Sequence, residues 1–242
     1  MPISPIRPLA PGRIRTPVRA TAAQGALLCF LFCTGTLPVL AIPLTLGGLI
    51  VLHTAADAVI VPLWSAALLL LWRSTPVARA ARSGFVSGLI AVTAYDMLRL
   101  PVIHLGGWPD FIPRLGQWIT ASDRPNAAVG YAWRYIGDGG GIGMAFALFC
   151  LVGGIRRRLV ACGLAYGVFV WSGLISTLLL VPHGQQLLFR LTPATLAVSL
   201  AGHLIYGSTL GWCLNRLDTH HHVLADPPLH LRLRLRLPVP HH

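Results

Sequence analysis

The sequence predicts an all-α membrane protein, a polytopic bundle of six transmembrane helices, and three observations lead to this prediction. The 242-residue chain is 55% hydrophobic and only 11% charged, whereas a soluble domain carries about 25% charged residues. Its mean hydropathy is +0.68. The apolar residues gather in stretches of roughly 20, the length of helix that crosses a bilayer, and most arginines lie between these stretches.

Six apolar stretches are long enough to span a membrane, and we place them at residues 24–42, 47–72, 84–105, 127–153, 159–181 and 194–215. Together they form a transmembrane domain over residues 23–216. Residues 1–22 are rich in Pro and Arg, which predicts a disordered cytoplasmic N-terminus. Residues 217–242 form a cytoplasmic tail rich in His and Arg.

The positions of the arginines predict the orientation. With six spans, one side of the membrane receives eleven arginines, namely Arg7, Arg13, Arg15, Arg19, Arg73, Arg79, Arg82, Arg156, Arg157, Arg158 and Arg216. The opposite side keeps Arg114, Arg124 and Arg190. The positive-inside rule then places both termini in the cytoplasm. All basic residues are Arg and all acidic ones are Asp, a bias that we interpret as bacterial, so the expected location is the bacterial cytoplasmic (inner) membrane.

The net charge of +12 does not predict a nucleic-acid partner. Most arginines lie in short loops and tails beside apolar stretches, where they set membrane orientation. A nucleic-acid interface needs a folded basic face with interleaved aromatic side chains, and the sequence shows no such pattern. The lipid bilayer is therefore the expected surrounding.

The stretch 106–126 is too polar to span a membrane. Within it, Phe111, Leu115, Trp118 and Ile119 fall at helical spacing. This pattern is typical of an amphipathic helix lying on the outer leaflet, with tryptophan in its preferred interfacial zone. An ordinary loop is the alternative interpretation.

Four Gly-x-x-x-Gly steps mark the last four predicted spans: Gly84/Gly88, Gly139/Gly143, Gly163/Gly167 and Gly207/Gly211. Small residues four apart let membrane helices approach closely. The third and fifth spans resemble each other, and Tyr135-x-x-x-Gly139-x-x-x-Gly143 matches His203-x-x-x-Gly207-x-x-x-Gly211. We interpret spans three and four and spans five and six as two copies of one hairpin, as in parallel transporter repeats. The helix faces that carry these glycines would pack within the chain, form a homo-oligomer or bind a membrane-protein partner.

The ionisable residues inside the spans predict a polar cluster in the outer half of the membrane: Asp96, Arg99, Arg134, Asp138 and His203. The Asp96/Arg99 and Arg134/Asp138 spacings place each pair on one helix face. A buried ion needs such a partner, since an unpaired one costs several kcal/mol. Gly139–Gly141 follows Asp138 directly and favours an unwound or closely approached backbone.

Three interpretations of this cluster stay open. In the first, the charges serve only to neutralise each other and to fix helix register. In the second, they line a cavity for a small solute, an ion or a proton, in a transport protein or a membrane partner subunit. The third interpretation is a membrane-embedded enzyme or a metal or haem protein with His53, Asp57 and His203 as ligands. Two arginines in the cluster disfavour a cation, so the leading interpretation is non-enzymatic, and the sequence identifies no cofactor.

Four short motifs lie between residues 82 and 217: Gly84-Phe85-Val86-Ser87-Gly88, Tyr95-Asp96-x-x-Arg99, the Gly-rich fourth span, and the stretch from Gly202 to Gly211. With these motifs the region resembles uncharacterised families of small bacterial multi-span membrane proteins. The resemblance implies a helical membrane core of unknown activity and implies nothing about a substrate.

Overall fold

The computed structural model describes residues 22–182, 184–221 and 223–224. These residues form eight helices and no strand, which confirms the all-α prediction. The helices are α1 (Ala22–Leu46), α2 (Leu52–Leu71), α3 (Pro76–His104), α4 (Ile112–Thr120), α5 (Ala127–Gly153), α6 (Leu159–Leu180), α7 (Gly184–Leu187) and α8 (Pro193–His221). The predictions for residues 1–21 and for the tail after residue 224 lie outside the described residues.

Five of these helices are long and apolar enough to cross a membrane: α1, α2, α3, α5 and α6. This finding supports a multi-pass membrane protein. Helix α8 holds the sixth predicted span and is 29 residues long, yet it is not among the five. Polar residues such as His203, Asn215 and Arg216 lower its hydropathy, so the count of six spans stays a prediction.

Side-chain caps set the starts of α3 and α5. Thr75 Oγ1 accepts a hydrogen bond from the Ala78 amide at 3.2 Å, and Pro76 occupies the first turn of α3, where a proline needs no amide partner. Asn126 Oδ1 accepts a hydrogen bond from the Val129 amide at 3.1 Å and caps α5 in the same way. These two helices carry most of the predicted polar cluster, and the caps define where each begins.

Helix α5 is the central helix of the bundle. In its most apolar stretch 72% of the residues are buried, compared with 17% to 39% in the other four apolar helices. It packs against α1 and α3, while α8 packs between α3 and α6, and α2 lies beside α1 and α3. A polar side chain on α5 is therefore enclosed by other helices.

The glycine steps of α3 and α5 lie at the contact between these helices. A Cβ atom added to Gly84 would overlap the backbone of Gly143, and one added to Gly88 would overlap the backbone of Gly139. Helix α1 approaches α5 in the same manner, since a Cβ on Gly35 would meet the Gly141 carbonyl oxygen at 2.7 Å. The backbones therefore pack at a distance that only glycine permits.

A second glycine contact joins α6 to α8. A Cβ on Gly163 would overlap the Gly207 carbonyl, and one on Gly167 would overlap the His203 carbonyl, while Gly211 is approached by the start of α6. The sequence aligns Gly207 with Gly139 and Gly211 with Gly143. Relative to the contact between α3 and α5, the contact between α6 and α8 is therefore shifted by four residues along α8, about one helical turn. Both hairpins thus pack through close backbone contacts at glycine, but the register of the contact differs.

Two of the five long apolar helices contain π-helical segments, in which backbone hydrogen bonds run from residue i to i+5. One is Ala56–Ile60 in α2, and the other is Trp133–Gly141 in α5. The backbone at Gly139–Gly141 stays helical, in this π form, and it is closely approached by neighbouring helices. Each π segment contains one aspartate, Asp57 or Asp138.

Helix α4 forms within the stretch that is too polar to span. Its buried face consists of Ile112, Leu115, Gly116 and Ile119, and a Cβ on Gly116 would overlap the backbone at the start of α5. The predicted helix is therefore present, with its apolar face on protein. Its position on a lipid surface stays a prediction. We call the end of the bundle that holds α4 and α7 the α4 end.

Candidate functional site

The centre of the polar cluster is an ion pair between α3 and α5. Asp96 has a relative exposure of only 2%. Arg134 Nε donates to both carboxylate oxygens of Asp96 at 3.0 Å, and Nη2 donates to Oδ1 at 2.5 Å. A forked contact of this kind is among the stronger hydrogen-bonded pairs in proteins. It joins two helices at a point where the surrounding side chains exclude water.

Arg99 extends this pair towards the α4 end. Its Nη1 lies 3.8 Å from Asp96 Oδ1, and its Nη2 donates to Asp110 Oδ1 at 2.5 Å. The other oxygen of Asp110 accepts a hydrogen bond from the Tyr131 hydroxyl at 3.0 Å. The side chain of Asp110 is 27% exposed. We call Asp110, Arg99, Asp96 and Arg134 the ion-pair chain; it leads from the rim of the bundle to its interior.

Asp138 stands outside the ion-pair chain. Its Oδ1 is buried and has no hydrogen-bond partner among the described residues. The sequence places Arg134 and Asp138 on one α-helical face, but both lie in a π segment, whose wider turn moves positions i and i+4 out of line. Arg134 binds Asp96 across the helix interface instead, and the Asp138 oxygen stays unpaired.

His203 lies beside the ion-pair chain without a hydrogen bond to it. Its Nδ1 is 2.7 Å from the Ser199 carbonyl oxygen, so Nδ1 carries the proton and donates. The Tyr95 ring contacts the His203 ring edge-on at 5.3 Å and also lies 4.8 Å from Arg134 Cζ. Tyr95 therefore connects α8 to the cluster through ring contacts.

Tyr206 connects α8 to the π segment of α5. Its hydroxyl donates to the Gly139 carbonyl oxygen at 2.7 Å, in a buried contact. The carbonyl directly follows Asp138 in the chain, so this hydrogen bond holds the backbone next to the unpaired carboxyl group. A buried carbonyl that loses such a donor is costly.

We expect Tyr206→Phe to lower the free energy of unfolding by about 1–3 kcal/mol, since the Gly139 carbonyl would lose a buried donor. Denaturation of the purified protein in detergent, followed by circular dichroism, measures this change. Tyr135→Phe is the control, because no hydrogen bond of the Tyr135 hydroxyl occurs among the described residues. An equal loss in both variants would contradict the assigned role of Tyr206.

The proposed metal ligands do not come together. Asp57 is exposed on the π segment of α2, and His53 lines a cavity of about 400 Å³ at the α4 end, with Gln117 and Ser122. His203 packs against Tyr95. The described part of the chain contains no group of three or more His, Cys, Asp or Glu residues placed to hold a metal ion. The described residues therefore do not bring this trio together as a shared ligand set.

A larger groove opens at the α4 end, next to Asp110. Its volume is about 680 Å³, within the range of small-molecule sites. It is lined by Pro109, Asp110, Phe111, Arg114, Gln185, Gln186, Leu187, Leu188, Phe189 and Arg190. These residues come from the start of α4 with the residues before it, and from α7 with the residues after it.

Sequence reasoning missed Asp110, Tyr131, Tyr95 and Tyr206 as members or neighbours of the cluster. One signal for Asp110 was available, because an aspartate just before a helix accepts backbone hydrogen bonds. Its Oδ1 indeed accepts one from the Ile112 amide at 3.2 Å. The pairing of Asp110 with Arg99 and the contacts of the tyrosines depend on how the helices cross, which the local sequence does not indicate.

A family model, described as a family of unknown function (DUF6789), matches residues 78–225, more than half of the 242-residue chain. No curated protein and no solved structure matches the chain. The matched region contains the whole ion-pair chain, Asp138 and His203. Helices α1 and α2 precede it.

Proposed function

Because the chain belongs to this family of unknown function, its role has to be inferred from its own geometry, and we propose proton-linked transport of a small solute. In this proposal Asp138 binds the proton. Asp96, Arg99, Arg134 and His203 form the polar site around it. The other interpretation, a membrane-embedded enzyme or a metal or haem protein, has weaker support, since the described residues hold no group of three or more His, Cys, Asp or Glu placed to bind a metal ion.

The proposal includes a topology of six spans with both termini in the cytoplasm of a bacterium. Five apolar helices and the length of α8 support the count. The arginine distribution supports the orientation. The polar site then lies in the outer half of the membrane, and the glycine steps pack the two hairpins that surround it.

The observation on which the proposal depends is the unpaired oxygen of Asp138. Asp138 is half-buried, and a buried carboxylate oxygen without a hydrogen-bond partner carries a desolvation cost in a low-dielectric interior. Binding a proton or a cation at Oδ1 removes this cost. Ionisable residues with this placement inside membranes typically mark ion and proton pathways.

Neighbouring charges favour a proton over a metal cation. Arg134 precedes Asp138 by four residues, about one turn of the same helix, and its guanidinium group is held by Asp96. A guanidinium group at this distance disfavours a divalent ion at the Asp138 carboxyl group. A proton bound covalently to the carboxyl oxygen leaves no separate positive charge, so Arg134 does not exclude it.

In this proposal the ion-pair chain lines a polar route for the proton, while its two guanidinium groups keep their own protons. Asp110 is partly exposed at the rim, and each charge from there to Arg134 has a partner of opposite sign. The route then ends at Asp138, in the same π segment as Arg134. π-helical segments occur often at functional sites.

We expect Asp138→Asn to reduce proton flux to the level of protein-free liposomes, because an amide binds no proton at neutral pH. The wild-type protein is reconstituted into liposomes, a membrane potential drives proton entry, and an enclosed pH-sensitive dye reports it. An infrared difference spectrum between acidic and neutral samples should show a protonated carboxyl band in the wild type that Asp138→Asn lacks.

The control is Asp123→Asn, which changes an exposed carboxyl group in the loop before α5. This variant should keep the wild-type flux and the infrared band. Circular dichroism verifies that both variants fold. Wild-type flux in a folded Asp138→Asn protein would refute the proposal.

A further inference from the structure

The groove at the α4 end presents a net positive charge to a ligand. Its charged lining consists of Asp110, Arg114 and Arg190. Both oxygens of Asp110 are engaged, one by Arg99 and the other by Tyr131. The negative charge of Asp110 is thus compensated from inside the bundle, and the two groove arginines have no carboxylate partner among the described residues.

These arginines lie on the side that the sequence predicts to be poor in arginine. Of the three arginines that the predicted topology leaves on the outer side, two line this one groove, Arg114 and Arg190. Orientation in the membrane does not explain them, because the positive-inside rule favours arginine on the other side. A local role for their charge is the simpler account.

Part of the groove wall is apolar and aromatic, while Gln185 and Gln186 contribute polar side chains. Phe111 and Phe189 line it, with ring centroids 6.3 Å apart, and Trp108 packs behind Phe189 at 5.1 Å. Arg114 is positioned over the Trp118 ring, with Cζ 5.6 Å from the centroid. The groove therefore offers guanidinium donors next to an apolar surface.

From this combination we propose that the groove binds an anion with an apolar stem, a carboxylate or phosphate held by Arg114 and Arg190. Guanidinium groups match the geometry of both anions, and the aromatic wall covers the stem. Two sources supply this chemistry: a free amphiphilic acid and the headgroup of an anionic lipid. The identification of this anion as the transported solute rests on the proposed function, while its binding does not.

The groove is connected to the interior through Asp110. Asp110 lines the groove and pairs with Arg99. Arg99 is only 1% exposed and lies beside Asp96. An anion in the groove would compete with Asp110 for positive charge and would act on the first pair of the ion-pair chain.

The test uses the full-length protein in phosphatidylcholine nanodiscs with two probes. Hexanoate represents the free acid, with uncharged hexanamide as its control, and calorimetry measures its binding. Phosphatidylglycerol added to the nanodiscs represents the lipid, and native mass spectrometry counts the molecules retained. The variant is the double substitution Arg114→Gln/Arg190→Gln, and its control is Arg124→Gln, an exposed outer-side arginine that does not line the groove.

We expect the double variant to weaken binding of at least one probe by about tenfold or more, since hydrogen bonds to charged groups contribute strongly, and Arg124→Gln to leave it unchanged. Loss of hexanoate binding identifies a free acid, and loss of phosphatidylglycerol alone identifies a lipid headgroup. If neither probe binds, or if the double variant binds both as the wild type does, the inference is wrong. Asp138→Asn should keep groove binding, so this result separates failure of the groove from failure of the proton site.

Discussion

An Asp96→Ala variant is expected to lose about 3–5 kcal/mol of folding free energy, because it leaves buried Arg134 without its counter-ion. Asp96 accepts three hydrogen-bond contacts from Arg134 and lies 3.8 Å from Arg99. Neither guanidinium group reaches bulk water easily, since Arg99 is 1% and Arg134 is 9% exposed. Denaturation in detergent followed by circular dichroism measures the loss.

Two further variants test whether the loss comes from the unpaired charge. Replacing both partners, Asp96→Leu with Arg134→Met, should recover much of the stability, since apolar side chains of similar size substitute well for a buried ion pair. Asp110→Ala should cost less than Asp96→Ala, because Asp110 is 27% exposed and water can reach Arg99 after the change. A double variant less stable than Asp96→Ala would argue against this account.

Gly88→Ala is expected to destabilise the protein by about 3 kcal/mol or more, although alanine is the better helix former. The added Cβ would overlap the backbone of Gly139 and lie 3.1 Å from Gly143 Cα. A backbone cannot rotate away as a side chain can, so α3 and α5 would have to separate. Separation would also lengthen the contact between Asp96 and Arg134.

Gly173→Ala is the matched control for this prediction. Gly173 lies in α6, and a Cβ added there would meet nothing within 4 Å. The substitution should therefore raise stability by about 0.5–1 kcal/mol, the usual gain for alanine over glycine inside a helix. Opposite signs for the same chemical change would assign the effect to the helix contact. Equal changes in stability would mean that the space around Gly88 is no more restricted than the space around Gly173.

The two expected results bear on function as well as on stability. Every member of the ion-pair chain has a partner of opposite charge, so the chain holds the helices in register while it lines the proposed proton route. Asp138 has none at Oδ1, which makes it the residue whose replacement should affect proton binding more than folding. The roles considered for the polar cluster are thus assigned to different residues. Asp96 and Arg134 fix the helix register, and Asp138 is the proposed proton-binding residue.

Much of the fold could be predicted from the sequence. Apolar stretches of membrane length, glycine pairs four apart and the helical spacing within residues 106–126 are periodic signals along one chain, and helices α1 to α6 occur where these signals lie. Helix α8 also occurs at its predicted place, while its passage through the membrane stays a prediction. Asp96, Arg99 and Arg134 were recognised as a cluster because charges inside apolar stretches are costly.

The partners within the cluster could not be predicted. The sequence paired Arg134 with Asp138 on α-helical spacing, whereas the π segment displaces Asp138 and the helix crossing brings Asp96 to Arg134. Likewise, the ion pair between Asp110 and Arg99 depends on how the chain folds back after α3. Spacing along one helix predicts neighbours only if the helix is a regular α-helix.

The sequence by itself determined that this protein is an all-helical chain with several membrane-length segments and with charges inside them, because composition and periodicity are local properties. Only the tertiary structure decided which charges neutralise each other, which oxygen stays unpaired and where Arg114 and Arg190 share a groove. Those outcomes depend on helix crossing, on backbone contact at glycine and on the π geometry of α5. Each of these is set by packing between distant segments.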